Sequence, residues 1–352
     1  MEIMNDMNKL IKTLCIILAC SVVVSCYPDY VADYEYDGIY FAQQYDLRTF
    51  VVGEGMKFEI GTVLAGVMKN DRERNVRIMI DDDLVTGDLS EFTGSDAPYT
   101  AYDVMSGACT EGRVSAPYVT AAIKEAGYGK LIPLPSKYYE FGNENKIIIR
   151  KGNHTGTTTV KADSATLCKN TAAKDAVYAI GVRIINADAD TVLQSASFEV
   201  VAVRIQNMLF GNWYYGGKTS VQTSAGEVIS EKYTPMTIPQ EETRLYVLTS
   251  TGAYTLKTNK FGVSDGSLEL TLKDDYSIDV KDMSGVFNLL PDGDGSYYNG
   301  ARLLQDRKIF LNYKYLNSDG TYTVINDTLQ FRNRIRDGVN EWRDEVEEHY
   351  RN

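Results

Sequence analysis

The side chains able to do chemistry in this chain are few, or badly spaced for catalysis. It has two histidines. His154 lies in Lys151-Gly152-Asn153-His154-Thr155-Gly156, which reads as a turn between strands, and His349 falls in the charged C-terminal segment. Neither has a serine, a cysteine or a second ligand at useful spacing, which argues against a metal site and against histidine-dependent nucleophilic catalysis. Glycoside hydrolysis needs two carboxylates at a set separation in a cleft. The 48 acids of this chain make sequence pairs plentiful and therefore uninformative. Asp81-Asp82-Asp83, the densest cluster, follows a strand and reads as a solvated turn. Pro291-Asp292-Gly293-Asp294-Gly295-Ser296 opens like a calcium loop but lacks the later ligands and the closing bidentate glutamate, so it reads as a tight turn. No enzymatic activity, metal or cofactor is expected.

Aromatic side chains suit recognition better. Sugars present apolar C–H faces that stack on rings, while amides and carboxylates bind the hydroxyls. Tyr297-Tyr298-Asn299 follows a Gly/Asp-rich loop, the kind of place where binding residues sit. Tyr214-Tyr215 follows Trp213 and precedes Gly216-Gly217. Successive strand residues point to opposite faces, so only one of Tyr214 and Tyr215 faces outward. Trp342 lies in the charged segment after the last strand and either docks on the fold or is offered to a partner, docking being the safer expectation. These six residues are the candidate glycan contacts. Core packing explains most of the 25 tyrosines equally well.

Cysteine chemistry concentrates at the start of the chain. Lys9 and Lys12 precede an apolar run at 10–24, and a small residue, Ser25, precedes Cys26. That order is a secretory signal. An apolar run of roughly fifteen residues is short for a membrane span. Val23-Val24-Ser25-Cys26 resembles the lipobox of a bacterial lipoprotein, in which cleavage exposes Cys26 for acylation. Several acyl chains together anchor stably where one is marginal. Met7 is an alternative start. The acidic stretch after Cys26 (Asp29, Asp33, Glu35, Asp37) resembles the surface-export signal of Bacteroidetes lipoproteins. The expected location is the outer membrane, lipid-anchored and exposed at the cell surface, with no membrane contact beyond the anchor. Of five cysteines, Cys109 and Cys168 remain for the folded part; they either pair or are buried thiols. A formal net charge of −12, unchanged by removing Glu2, Asp6, Lys9 and Lys12 with the signal, disfavours nucleic acid and anionic membrane as partners.

The elements that must position these residues are strands. Alternating apolar patterns at 38–43, 48–66, 75–80, 146–150, 157–162, 177–185 and 197–205, separated by Gly, Asn and Asp turns, suggest a β-sandwich. The Gly/Ser/Thr/Ala-rich segment 87–129 departs from the pattern. It is expected to hold one helix near Pro117–Ala126, capped by Ser115 and ended by Gly127, and to cover a sheet edge or join a binding face. From residue 207 on, strands at 212–215, 244–250, 253–258, 267–272, 276–280, 309–315, 321–325 and 328–331 describe an up-and-down meander whose eight strands would close a barrel. The expected organisation is a signal peptide at 1–25, an acidic tether at 26–34, an Ig-like sandwich at 35–206, a lipocalin-like barrel at 207–338 and a charged tail at 339–352. The fold class is thus all-β. Gly211-Asn212-Trp213 resembles the Gly-x-Trp of lipocalin-type barrels, where a tryptophan closes the base under an arginine; Arg332, Arg334 or Arg336 is expected to lie over Trp213.

Ile39-Tyr40-Phe41, the run Arg48–Gly55, the run Ile60–Val67 and Leu134-Pro135-Ser136-Lys137-Tyr138-Tyr139 resemble the N-terminal domain of a Bacteroidetes surface lipoprotein family of unknown function. The run Asn207–Trp213, the run Leu304–Tyr313 and the run Phe331–Gly338 resemble the lipocalin-like domain paired with it. The resemblance implies association with polysaccharide-utilisation systems, an oligo- or polysaccharide ligand, and an outer-membrane importer and other surface lipoproteins as partners. The expected function is non-catalytic binding or presentation of glycans. The alternative is an adhesion or structural protein acting through protein–protein contacts. A further reading, a small apolar ligand inside the barrel, requires an open apolar interior.

Overall fold

The computed structural model describes residues 36–94, 96–109 and 115–344. Cys26, the acidic tether and His349 lie outside them. The architecture is all-β, as expected, in two bodies joined at residues 208–210.

The first body is a sandwich. One sheet orders its strands Thr191–Val192, Gly38–Phe41, Lys57–Ala65, Thr155–Ala162 and Tyr139–Phe141. The other orders Tyr45–Val52, Phe198–Asn207, Tyr178–Ala187, Arg74–Ile80 and Lys146–Ile149. Alternate residues of both sheets (Phe41, Ile60 and Val160 against Phe50, Val182 and Val203) interdigitate into one core, as period-2 patterning requires. The second sheet is mixed, because Phe198–Asn207 runs parallel to Tyr45–Val52.

A third layer covers the second sheet's other face. Segment 83–126 forms four short helices rather than one: Asp83–Thr86, Ser90–Thr93, Ala101–Met105 and Pro117–Ala126. They bury Leu84, Val104, Met105, Val119 and Ile123 against Leu47, Phe198, Val200 and Ala202. This layer covers a sheet face, not an edge. Ala116, not Ser115, is the N-cap of the last helix, and Gly127 ends it at φ 69°, a conformation glycine adopts without strain.

The second body is a closed barrel. Its eight strands run Gly211–Gln222, Tyr246–Ser250, Thr255–Thr258, Leu268–Leu272, Ser277–Asp282, Ser296–Tyr298, Lys308–Leu316 and Tyr322–Arg336, and the last pairs with the first. Two of these differ from expectation. Residues 322–325 and 328–331 belong to one continuous strand, and Ser296–Tyr298, directly after the Gly/Asp-rich loop, is a strand that the eight expected ones do not include. Val228–Thr234 is an additional edge strand on Gly211–Gln222. The charged tail begins as a strand, Val339–Glu341, folded back on Arg334–Arg336 through Asp337-Gly338, an Asp-Gly hairpin turn with both residues at positive φ.

Candidate functional site

The two bodies meet around a turn. Gly53-Glu54-Gly55 links the strands Tyr45–Val52 and Lys57–Ala65, with Gly53 at φ 94° and Gly55 at φ 85°. A Cβ on Gly53 would stand 2.4 Å from Met208 Sδ, so only glycine lets the turn approach the linker this closely. Glu54 enters the barrel's closed end. Its carboxylate accepts two hydrogen bonds from Arg334, 2.8 Å each, and pairs with Arg307 at 2.7 Å. Arg334 also donates to Glu341 at 2.6 Å, and Arg307 to the Met208 carbonyl at 2.7 Å. Burial alone would raise the Glu54 carboxyl. The charge and hydrogen bonds of Arg334, then of Arg307, overcome it and hold the group at about 2. A carboxylate so neutralised is structural.

This corrects the expected barrel closure. Arg334 does close the base, but its guanidinium lies 5.0 Å from the centre of the Phe210 ring. Trp213, fully buried, meets Phe331 edge-on at 5.4 Å and donates to the Leu209 carbonyl at 3.1 Å. Arg332 pairs with Glu242 at the surface and Arg336 pairs with Glu341.

Beside this junction runs a cleft. A first depression of about 230 Å³ lies over Gly53, Glu54, Lys57, Tyr298, Arg302 and Arg307. A second, of about 450 Å³, lies over Met56, Lys161, Ser164, Asn207, Tyr254 and Lys273. Both share Gly53, Gly55, Met208 and Tyr276, so they are continuous. A third depression, of about 490 Å³, continues past Lys161 and Ser164 to Lys137 and Glu140. Tyr254 and Tyr276 stand at the cleft 46% and 45% exposed. Tyr276 occupies left-handed backbone at φ 66°, a genuine outlier for a bulky side chain. Its ring lies against Gly300, where a Cβ would come within 3.0 Å, and meets Tyr298 edge-on at 5.6 Å. Tyr254 faces Cys168 across the junction, and burial raises the Cys168 thiol above its usual value.

The residues singled out from sequence are distributed unevenly around this site. Tyr298 is 3% exposed; it lines the cleft's floor and donates to the Ala301 carbonyl, so its ring supports Tyr276 and is no stacking platform itself. Tyr297 points the other way, onto the barrel's outer wall, stacked on Phe310 at 4.7 Å. Asn299 is engaged with Asp306, Ala301 and Lys308 and shapes the loop. Tyr215 is buried inside the barrel, which removes it as a ligand contact, while Tyr214 is half-buried on the outside. Segment 339–344 docks, through Glu341 and through Asp344 on the Leu304 amide, yet the Trp342 ring stays 61% exposed. Tyr254 and Tyr276 went unremarked in the sequence. Their one signal is the position of each in a tight turn between barrel strands.

The barrel interior is filled by Trp213, Tyr246, Leu311, Tyr313 and Leu329, which removes the reading of an apolar ligand at its centre. Asp327 is buried there, 3.2 Å from the hydroxyls of Tyr215 and Tyr246, and burial raises it to about 7. Cys109 packs in the helical layer and Cys168 in the sandwich core, and no disulfide joins them. His154 binds the Val67 carbonyl in its turn at 3.0 Å. Asp81 pairs with Arg183, and Asp292 closes a tight turn. Among the described residues no cluster fit for a metal occurs, and no helix is long and apolar enough to cross a membrane.

Residues 33–191 match a family model for an N-terminal domain. A solved Bacteroides ovatus protein of unknown function aligns over 89% of this chain and 99% of its own, at 17% identity and a TM-score of 0.56. The likeness is to Bacteroides proteins of unknown function. At that identity it establishes the shared fold alone. A second B. ovatus protein of unknown function (88% and 100% covered, 10% identity, TM-score 0.39) and a multidomain B. ovatus protein that includes a domain of unknown function (88% and 100%, 11%, 0.35) align more loosely. No curated protein matches.

Proposed function

We propose that this chain is a non-catalytic surface lipoprotein, anchored through Cys26 at the outer membrane, that holds glycans for a polysaccharide-utilisation system. The observation that carries the reading is the cleft between sandwich and barrel. Two tyrosine rings stand half-exposed there beside the lysines Lys161 and Lys273 and the hydroxyl residue Ser164, a combination that stacks on sugar faces and binds their hydroxyls. Tyr276 is held by its turn and by Gly300, which lowers the ordering cost on binding. A surface importer and neighbouring lipoproteins are the protein partners in this reading.

The test is native affinity electrophoresis of residues 27–352 through gels that each contain one plant, fungal or host glycan. Retardation by one class, abolished by Tyr254→Ala or Tyr276→Asn, supports the reading. Asparagine tolerates left-handed backbone, so the second variant removes the ring and keeps the turn. Retardation unaffected by either variant moves the site elsewhere, first to Tyr297. No retardation over a broad panel ends the glycan reading.

One observation favours adhesion as the second reading. The edge strand Val228–Thr234 pairs on one side only among the described residues and exposes Val228, Ile229 and Tyr233 at 56–70%. An open edge with exposed apolar side chains invites a partner strand, while Glu231 and Lys232 at its centre restrict which one.

A further inference from the structure

The charges of the cleft run against those of the molecule. The chain as a whole is at −12, yet the two central depressions are lined by Lys57, Lys161, Lys273 and Arg302. The acids among their lining residues are Asp274 and Glu54, and Glu54 is already matched by two arginines. Lys273 is paired with Asp279 at 2.7 Å. Lys57, Lys161 and Arg302 are exposed and form no ion pair among the described residues.

The pairing register sharpens this. Lys57 and Lys161 are directly opposed on adjacent antiparallel strands. Cross-strand partners share a face, and like charges placed there destabilise the pair. Glu140 opposes Lys161 from the other side, and Glu59, two residues along from Lys57, shares that face and accepts from the Thr159 hydroxyl. The two exposed ammonium groups leave room for an anion between or above them.

Resting on the glycan reading above, we infer that the cleft is built for an acidic saccharide chain, one that carries carboxylate or sulfate groups. Tyr254 and Tyr276 stack on sugar faces, and the Lys57–Lys161 pair and Arg302 bind the anionic groups. The continuity of the depressions suits a chain lying through the cleft over a chain end held in a closed pocket. The molecule's net charge repels a polyanion at long range. Screening confines that repulsion to a Debye length of about 8 Å at physiological salt, so contact depends on the local cations.

The probes are polygalacturonate, its carboxyl-reduced neutral counterpart and a sulfated galactan, each tested by affinity electrophoresis and calorimetry on residues 27–352. The expected result is binding of an acidic polymer, loss of binding on carboxyl reduction, and about tenfold weaker binding by Lys57→Gln/Lys161→Gln, as two exposed ion pairs imply. The uronate and sulfate arms distinguish which anion is taken. Melting temperatures confirm that the exposed substitutions leave the fold intact. Equal binding of the neutral counterpart overturns this inference and leaves the glycan reading standing. Acidic binding indifferent to Lys57→Gln/Lys161→Gln and to Arg302→Gln also overturns it, since the anion then sits elsewhere. Binding of none of these polymers overturns this inference, and the glycan reading falls with it when the broad panel above also shows no retardation.

Discussion

Glu54 and Asp327 are both buried carboxyls, and they respond to pH in opposite ways. Glu54 is held at about 2, below its ordinary 4.5, by Arg334 and Arg307. Its stabilisation is present above pH 4.5 and is lost as pH falls toward 2. Glu54→Gln leaves the buried Arg307 without a counter-charge among the described residues and Arg334 with Glu341 alone, and is expected to cost about 3–5 kcal/mol in urea unfolding at pH 7. Asp327 is raised to about 7 from 3.8, and Glu199 to about 8 from 4.5, each chiefly by burial. Their contribution is present at pH below about 4, where folded and unfolded states are both protonated, and is lost as pH rises through 7 to 8. Stability is therefore expected to peak on the acid side of neutrality. Asp327→Asn, which keeps an acceptor for one tyrosine hydroxyl and offers a donor to the other, is expected to flatten the decline between pH 5 and 8 by on the order of 1–2 kcal/mol. An unchanged slope in denaturant titrations at the two pH values would reject that assignment. At this scale the sequence was half legible. Strand alternation says that one tyrosine of each adjacent pair faces outward, and Tyr214 and Tyr297 do. It does not say which one. Nor does it reveal Tyr254 and Tyr276, two barrel-turn residues that line a cleft only because the sandwich lies beside them.

Among the elements, the sheets were legible and the layer over them was not. The run Phe198-Glu199-Val200-Val201-Ala202-Val203 is nearly continuous in apolar residues, and the strand is buried at almost every position, which is the mark of a sheet covered on both faces. That run was the signal for the helical layer. The layer's own helices, four to ten residues long, are too short for helical periodicity to speak through a Gly/Ser/Thr-rich segment. Ile123→Ala, at the layer's centre and 1% exposed, is expected to cost about 2–5 kcal/mol. Trp342→Ala is expected to change stability by no more than about 0.5 kcal/mol, because segment 339–344 is held by Glu341 and Asp344 and not by the indole. Thermal unfolding of the two variants side by side checks both. The long closing strand misled for a physical reason. Asn326-Asp327 carries turn chemistry, yet Asp327 points inward to two tyrosine hydroxyls while Asn326 faces Asn312 and Asp292, so the backbone runs straight through.

The cleft exists only because the two bodies hold one orientation, and three sets of contacts fix it. Glu54 reaches from the sandwich to Arg307 and Arg334. Asp337, at the barrel's last hairpin, accepts from the Thr49 hydroxyl at 2.6 Å and the Thr49 amide at 3.0 Å, and Arg204 donates to the same hydroxyl at 3.1 Å. Asn207 bonds the Ala253 carbonyl at 3.0 Å and the Ser250 hydroxyl at 2.8 Å. Buried ionic contacts add little net stability compared with apolar packing, but breaking one side costs much, so they specify geometry more than they add strength. The two bodies are accordingly expected to unfold as one unit, with equal van't Hoff and calorimetric enthalpies in scanning calorimetry. Glu54→Gln combined with Asp337→Asn takes the charge from two of the three clamps and weakens both, while leaving both cores whole. That variant is expected to melt in two transitions, and any glycan affinity of the cleft should fall with it although no tyrosine or lysine has been touched. A single transition in the double variant would mean that apolar contact through Met208 and Phe210 couples the bodies, and that the buried charges set their angle alone.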